Sequence, residues 1–565
     1  MDFKIFIIHC LLFWRQAKSE AGQTNHKFLG IGYNLLTGNP DGGDLDTGGV
    51  DPGLLYTRKV FDLSHPLSVA AEGRQSCIEE RQTTIFFGTK SYQEKLKTDV
   101  SLEGAGIAGI ANFAFSLSPR FDRAREETSL EHKVFQDDQI TCNLGRQRFA
   151  QELAHAYAFT VTENFAASVC ALPVEYDKIQ YMDFLDSWGT HVTIQVELGT
   201  KNISRRESSL ADFVEHVTKA DEVAVSAGGS YMGFGASLKV DYENFKDSSN
   251  YALNFGSYSA TLLTGTALLP EPIGLKVHEI TEALNPVYWQ NTSLLTSHHV
   301  CDRLDVNHVT QVRTNIARAL SEYAAYKMAA APSDPELIIP LVWPKGTYGL
   351  YKALSGCPSG NFTWLEGWRF QDCEDFSTSN SFSGSLHLAG TFEPHGDILT
   401  EFCIKGNPAI SAFDLSWPKG DYCILKYGDC PTGFGAGWLQ WDDEDDEKND
   451  GSVHSSGYLP DGQYDQNTRI FYCCRNDSLP TLPINLPIDK PFYLLRHSRS
   501  CQTVRGMHVV EESVYWDEEF WLIPSHHTKS GGSSPFDDGD REDHRLHFCY
   551  YTVSDSPEIN NLIVG

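Results

Sequence analysis

The chain has 565 residues, of which 41% are hydrophobic and 12% aromatic, and its 45 basic and 75 acidic side chains give a formal charge of -30. At about 150 residues per domain that length exceeds a single core, and the apolar content excludes a disordered polar chain. The acidic excess repels phosphate backbones and excludes nucleic acid as a partner, but not a lipid membrane, because burying apolar strand faces in lipid is driven by the hydrophobic effect.

The N-terminus sets Lys4 before an apolar stretch, Ile5 to Trp14, and then the small residues Ala17, Ser19, Ala21 and Gly22. This is the pattern of a secretory signal peptide over residues 1–21, and it predicts a secreted protein. No later stretch reaches about 18 consecutive apolar residues, so any crossing of a bilayer falls to strands. Without Cys10, thirteen cysteines remain, nine of them from Cys357 to Cys549. After a signal peptide such density predicts disulfides, and the odd count leaves one thiol free or intermolecular. A vicinal bridge between Cys473 and Cys474 would be strained, so each is expected to pair with a distant cysteine. Sequons at Asn202, Asn291, Asn361 and Asn476 fit glycosylation on the same route.

The run Gly30 to Gly53 is rich in glycine and aspartate and reads as a calcium loop or as a cluster of solvated turns. It lacks the twelve-residue EF-hand spacing, which favours the turns; no cofactor and no metal are predicted, and calcium stays an unsupported candidate. Farther on, strand patterns alternate with amphipathic helix patterns such as Arg146 to Tyr157 and Leu210 to Ala220, which makes this half α+β. Ala105, Ile107, Ala111, Phe113, Phe115 and Leu117 share one parity and read as a half-apolar strand. Tyr181 to Thr200 reads as a helical approach, a turn Trp188-Gly189-Thr190-His191, and a strand with Val192, Ile194, Val196 and Leu198 on one face, ending at Gly199. No Ser/His/Asp set and no zinc-spaced ligands accompany His191, so no catalytic residue is predicted and the chain is not expected to be an enzyme.

A second alternating segment follows. Val223, Val225 and Ala227 carry one parity, and Met232, Phe234, Ala236, Leu238 and Val240 the other. The flip across Gly228 and Gly229 predicts a bulge or hinge there. Either segment also fits an ordinary strand with one face on a core.

The Trp188 turn with the strand after it resembles the signature of the membrane attack complex/perforin (MACPF) family, although that family usually ends the strand with paired glycines where this chain has Leu198-Gly199. The resemblance covers residues 28–331 and implies a bent antiparallel sheet flanked by two helical clusters, here about Ser101 to Tyr157 and Ser208 to Asn250. In that family such clusters unfurl into transmembrane β-hairpins and close as a ring-shaped barrel. The implied partners are therefore a lipid membrane and a homo-oligomer ring.

A helical pattern from Val309 to Met328 runs into a proline-rich linker over residues 332–342. Beyond it lie eight of the eleven tryptophans. Trp343-Pro344-Lys345-Gly346-Thr347-Tyr348 returns as Trp417-Pro418-Lys419-Gly420-Asp421-Tyr422, which predicts a β-rich, disulfide-stapled domain with an internal duplication. Trp364, Trp368, Trp438 and Trp441 are candidates for stacking on sugars, with core packing as the competing reading. The acidic runs Asp442 to Glu447 and Asp537 to Asp543 read as calcium ligands or solvated loops. The repeat, the Cys473-Cys474-Arg475 element and the run from Lys490-Pro491-Phe492 to Cys501-Gln502 resemble the apextrin C-terminal domain (ApeC), over residues 343–553. Together the two resemblances imply a secreted pore-forming immune effector that recognises microbial surfaces, with a bacterial cell-wall glycan such as peptidoglycan as ligand. The alternative is a non-lytic matrix, adhesion or developmental protein on the same scaffold.

Overall fold

A computed structural model describes residues 26–65, 67–104, 109–150, 161–220, 225–228, 237–240, 242, 256–289, 306–371, 373, 379–411, 413–443, 454–465, 467–518, 529–540 and 543–553. The signal peptide, Ala105, Ile107, Val223, Gly229, Met232, Phe234, Ala236 and Asn291 lie outside the described residues. The chain divides into two compact units, Met1–Ser209 with Leu253–Pro335, and Leu210–Ala252 with Glu336–Gly565.

The first unit opens with β1 (Ile31–Tyr33) and β2 (Leu54–Lys59), then β3 (Val69–Phe86). An insertion follows: α1 (Thr89–Lys97), β4 (Val100–Glu103), a 3-10 turn Ile110–Phe113 and α2 (Pro119–Ser129). The chain returns through β5 (Lys133–Phe149), passes α3 (Glu163–Ala171) and α4 (Lys178–Trp188), and enters β6 (His191–Ser209). A second insertion, containing α5 (Leu210–Ala220), β7 (Val225–Gly228) and β8 (Ser237–Val240), belongs to the second unit. The first unit resumes with β9 (Ser257–Thr264) and β10 (Glu271–Glu279) and ends on α6 (Val306–Tyr326).

The backbone of this unit is an antiparallel sheet in the order β3-β5-β6-β9, and β10 continues the β9 side of β6 toward its start. Register shifts lie between Gly73 and Ile78 on β3, between Asn143 and Gly145 on β5, and between Pro272 and Gly274 on β10. They form a line across the sheet, where strands gain twist and bend. Gly199 sits on that line, opposite Asn143, and a Cβ there would lie 2.0 Å from the Cys142 carbonyl oxygen. Val192, Ile194 and Val196 are buried as the alternation predicts, with Leu198 packed at the core margin.

The structure departs from one helical and one strand expectation. Arg146 to Phe149 belongs to β5 and is not helical, since it completes the register with Glu72 to Val69. Ala111, Phe113, Phe115 and Leu117 do not form a strand. Ile110–Phe113 is a 3-10 turn, Phe115 takes a left-handed φ of 66°, and Ser118 caps α2 by accepting from Phe121 N, with Pro119 at the first helical position. Phe115 is fully buried, and Phe113 and Leu117 pack on the same core. Alternating parity therefore reflects a turn laid against the core, fixed by Phe115 N and Leu117 N donating to the Leu35 and Leu36 carbonyls.

In the second unit, β11 (Ile338–Pro340) precedes β12 (Tyr348–Tyr351), β13 (Leu365–Gln371), β14 (Ser381–Phe382), β15 (Gly390–Phe392) and β16 (Ile398–Lys405). Next come β17 (Asp421–Lys426), β18 (Gly435–Trp441), β19 (Ser455–Gly457), β20 (Gly462–Tyr464) and β21 (Thr468–Asn476), and last β22 (Phe492–Arg496), β23 (Met507–Trp516), β24 (Ser530–Gly532) and β25 (His544–Val553). The duplication extends to a third copy. β12, β13 and β16 pair as do β17, β18 and β21, and as do β22, β23 and β25. The register agrees to the residue: Leu350 opposes Cys403, Ile424 opposes Cys473 and Leu494 opposes Cys549. Those three cysteines bond Cys357, Cys430 and Cys501 in turn. Cys474 bonds Cys423, so the two adjacent cysteines do pair with separate distant partners.

The repeated Trp-Pro-Lys-Gly-x-Tyr element has a local reason. The Tyr348 and Tyr422 hydroxyls donate back to the carbonyls of Pro344 and Pro418, and a Cβ at Gly420 would lie 2.5 Å from the Tyr422 ring. The outer strand of each copy is covered by a short strand from the next: β19 on β13, β24 on β18 and β14 on β23. The ring of three closes on itself, which protects edges that would otherwise be open to pairing.

Candidate functional site

The Trp188 turn is built for placement. Asp177 starts α4 by accepting from Ile179 N and Gln180 N, and Gly189, at φ 86°, ends it. A Cβ on Gly189 would meet the Tyr33 backbone at 2.7 Å, so glycine alone lets β1 lie against the turn. Thr190 N donates to Tyr33 O, and the Thr190 hydroxyl accepts from Leu35 N. Trp188 is buried edge-on against Phe165.

His191 is 0% exposed, its Nδ1 lies 2.9 Å from the Thr190 hydroxyl, and its Nε2 has no hydrogen-bond partner. Burial, aided by the neighbouring His278, lowers its pKa from 6.5 to about 3. The unfolded chain therefore binds a proton that the folded one rejects, so stability is full above pH 6.5 and falls as pH drops toward 3. The loss between pH 7 and pH 5 is about 2 kcal/mol. Denaturant unfolding of the first unit at those two pH values should show that drop in the natural protein and not in His191→Asn.

The first insertion is held by a buried ion network that no motif announces. Lys95, on α1, reaches both Asp41 and Asp137 at 2.6 Å. Arg205 holds Asp137 through Nε and Nη2, each at 2.7 Å, and Tyr92 donates to Asp41. Burial pushes both carboxyls up, but the surrounding Lys95, Arg205 and, for Asp41, Lys201 outweigh it and hold them below the usual carboxylate range. The Gly30 to Gly53 run thus serves as turns that bring Asp41 and Asp51 inward. Asp51 accepts from Asn39 N, Gly53 N and the Tyr33 hydroxyl.

The second insertion contains a hairpin. β7 and β8 are antiparallel, with Val225 opposite Val240, Ala227 opposite Leu238, and Gly228 opposite Ser237. The parity flip is therefore a chain reversal between Gly228 and Ser237, and not a bulge or hinge at Gly228 within one strand. Leu238 and Val240 are buried. The helix Leu210–Ala220 spans the residues the periodicity predicts.

In the C-terminal module two of the four candidate aromatics are core. Trp364 is buried, with its Nε1 donating to Pro358 O, and Trp441 is buried against Trp516 and His544. Trp368 and Trp438 are half-buried, and Arg469 lies 4.5 Å over the Trp438 ring. Four described carboxylates of the acidic runs, those of Asp443, Asp537, Asp538 and Asp543, have protein partners. Asp443 pairs with Arg369 at 2.9 Å, and Asp537 meets His544 at 2.7 Å and Lys529 at 3.2 Å. His497 lies near Cys423 and Cys474, but those sulfurs are bonded to each other and offer no thiolates to a metal. The sequon residues Asn202, Asn361 and Asn476 are exposed.

Two family models match the chain: the MAC/Perforin domain over residues 18–331 and the C-terminal domain of apextrin over residues 343–551. No curated protein matches it. Among solved structures it is similar to a putative cell invasion protein with a MAC/Perforin domain from Bacteroides thetaiotaomicron, at 14% identity and TM-score 0.28, covering 51% of this chain and 59% of that one. It is also similar to GNIP1Aa from Chromobacterium piscinae, at 11% identity and TM-score 0.32, covering 91% and 92%. A third is Astrotactin-2, a vertebrate-specific perforin-like membrane protein involved in neuronal development, at 9% identity and TM-score 0.24, covering 95% and 73%.

Proposed function

Because the chain belongs to the MAC/Perforin family, we propose that it is a secreted effector that docks on microbial surfaces through its apextrin-type module and perforates membranes by forming a ring. The observation that carries this reading is the β7–β8 hairpin, with Leu238 and Val240 already paired as strand, placed in the chain between β6 and β9. The outer strands support assembly. Among the described strands of the sheet, β3 bonds only β5, and the outer edge of β9 is occupied at Leu263, by Thr47 O and Gly49 N, so β3 and the remainder of the β9 edge, Ser257 to Leu262, are the edges that neighbouring copies would join. That contact is head-to-tail and closes as a ring when the rotation per copy divides a full turn. Closure satisfies every backbone group within lipid. The protein acts by binding and insertion, without catalysis.

A non-lytic adhesion or matrix role is the second reading, and the Lys95 network favours it, since it ties α1 of the first insertion to the sheet. Dye release from lipid vesicles and from bacteria, with ring particles in electron micrographs, is the expected result for the pore reading. Intact vesicles across lipid compositions and pH values, with the protein bound, would establish the second. Retention of the full chain on peptidoglycan, reduced several-fold in Trp368→Ala, is the expected mark of glycan recognition.

A further inference from the structure

The second insertion lies in the same compact unit as the C-terminal module, and the contacts that hold it there come from the junction and from the starts of two repeats. α5 buries Leu210, Phe213, Val214 and Val217. On its polar side, Asp212 meets Lys345 at 3.3 Å, and Glu215 accepts from Ser416 N at 3.2 Å. Lys345 follows Trp343-Pro344, and Ser416 precedes Trp417-Pro418.

The strand contacts are more consequential. β8 is the middle strand of a three-stranded sheet, with β7 on one edge and β11 on the other. Ile338 opposes Lys239, Ile339 opposes Leu238 and Pro340 opposes Ser237, and Val240 N donates to Leu337 O. A strand with both edges bonded has none left for a third partner, so β8 adds to no neighbouring strand until β11 leaves. Within the first unit the residues just before β11 cap the first insertion. The Asp334 carboxylate accepts from Lys90 N and Ser91 N, each at 2.9 Å, and Ser333 O accepts from Thr89 N.

We propose that the junction strand Ile338–Pro340, together with Lys345 and Ser416, is an autoinhibitory latch that keeps the second insertion folded back, so that membrane entry requires β11 to leave β8. This rests on the pore reading for its purpose and on the pairing of β8 for its geometry, and the two are tested separately.

The test uses the full chain in two forms. Lys239→Cys with Ile338→Cys places cysteines at directly opposed positions, where antiparallel strands bring Cα atoms within disulfide reach. The bridged protein should release dye from vesicles at least tenfold more slowly than either single variant. Asp212→Ala with Glu215→Ala removes two surface contacts and should raise amide hydrogen exchange in residues 225–228, 237–240 and 338–339 together, by about threefold to tenfold. If the natural protein releases dye and the bridged form does so equally fast, the latch is wrong and the pore reading stands. If the natural protein releases none, the pore reading fails, and the exchange experiment still decides the latch: a joint rise supports it, whereas unchanged exchange in β8 and β11 overturns it.

Discussion

Lys95→Ala is expected to destabilise the first unit by about 3 to 5 kcal/mol, because it strands a buried carboxylate without its cation. Asp41 and Asp137 are fully buried, and two cations, Lys95 and Arg205, balance them at hydrogen-bond distance. With Lys95 gone, Arg205 is the one remaining cation bonded to both, with Lys201 acting on Asp41 from farther off. The loss is a large share of the stability of an ordinary domain, about 5 to 15 kcal/mol. Lys95→Met with Asp41→Asn restores the balance and should recover most of it. The measurement is urea unfolding followed by amide protection in β5 and β6, which reads this unit alone. A loss below about 1 kcal/mol would mean that water reaches the network. Both carboxyls are held below their unfolded value near pH 4, so their stabilisation is complete above that value and disappears as pH falls through the folded one. Mild acid leaves this network intact. Loss of stability in the first unit between pH 6.5 and pH 5 is therefore expected to come mainly from His191.

Removing any one of the three symmetry-related disulfides is expected to cost about 4 kcal/mol, nearly the same for each, since they close loops of 46, 43 and 48 residues and loop entropy depends weakly on length. Paired alanines at Cys357 and Cys403, at Cys430 and Cys473, or at Cys501 and Cys549 make the comparison, read as the unfolding free energy of the C-terminal module. The fourth bridge, Cys423–Cys474, has no counterpart. The equivalent positions hold Gly349 opposite Ile404 and Tyr493 opposite Tyr550, so packing fills the same place in the other copies. A spread of more than about 2 kcal/mol among the three would show that the copies differ in the structure they keep when unfolded.

What was legible in the sequence was what local chemistry decides. The helix Leu210–Ala220 follows from its apolar stripe, and the buried face of β6 from its alternation. The Ala105 to Leu117 segment misled because a turn packed on a core repeats apolar residues with the same parity as a strand. Its conformation is set by Leu35 and Leu36, distant in the chain. The parity change at Gly228 was visible, but a bulge and a reversal produce the same pattern over so short a run. The third repeat was hidden because Lys490-Pro491-Phe492-Tyr493 lacks the tryptophan and glycine that mark the first two. Its disulfide, Cys501–Cys549, was the remaining trace. The ion network had no local signal at all: Lys95 and Asp137 are 42 residues apart, and Asp41 and Arg205 are 164 apart. Trp364 and Trp441 went to the core because three converging repeats need aromatic volume at their centre.

The central claim is that residues 225–240 enter lipid as a pair of strands. An environment-sensitive dye placed singly at positions 238, 239 and 240, with quenchers attached to the lipid chains, tests it most directly. On vesicles the account predicts quenching at 238 and 240 and a water-like signal at 239, the period-two pattern of a strand with one face in lipid. A water-like signal at all three positions in membrane-bound protein would contradict it.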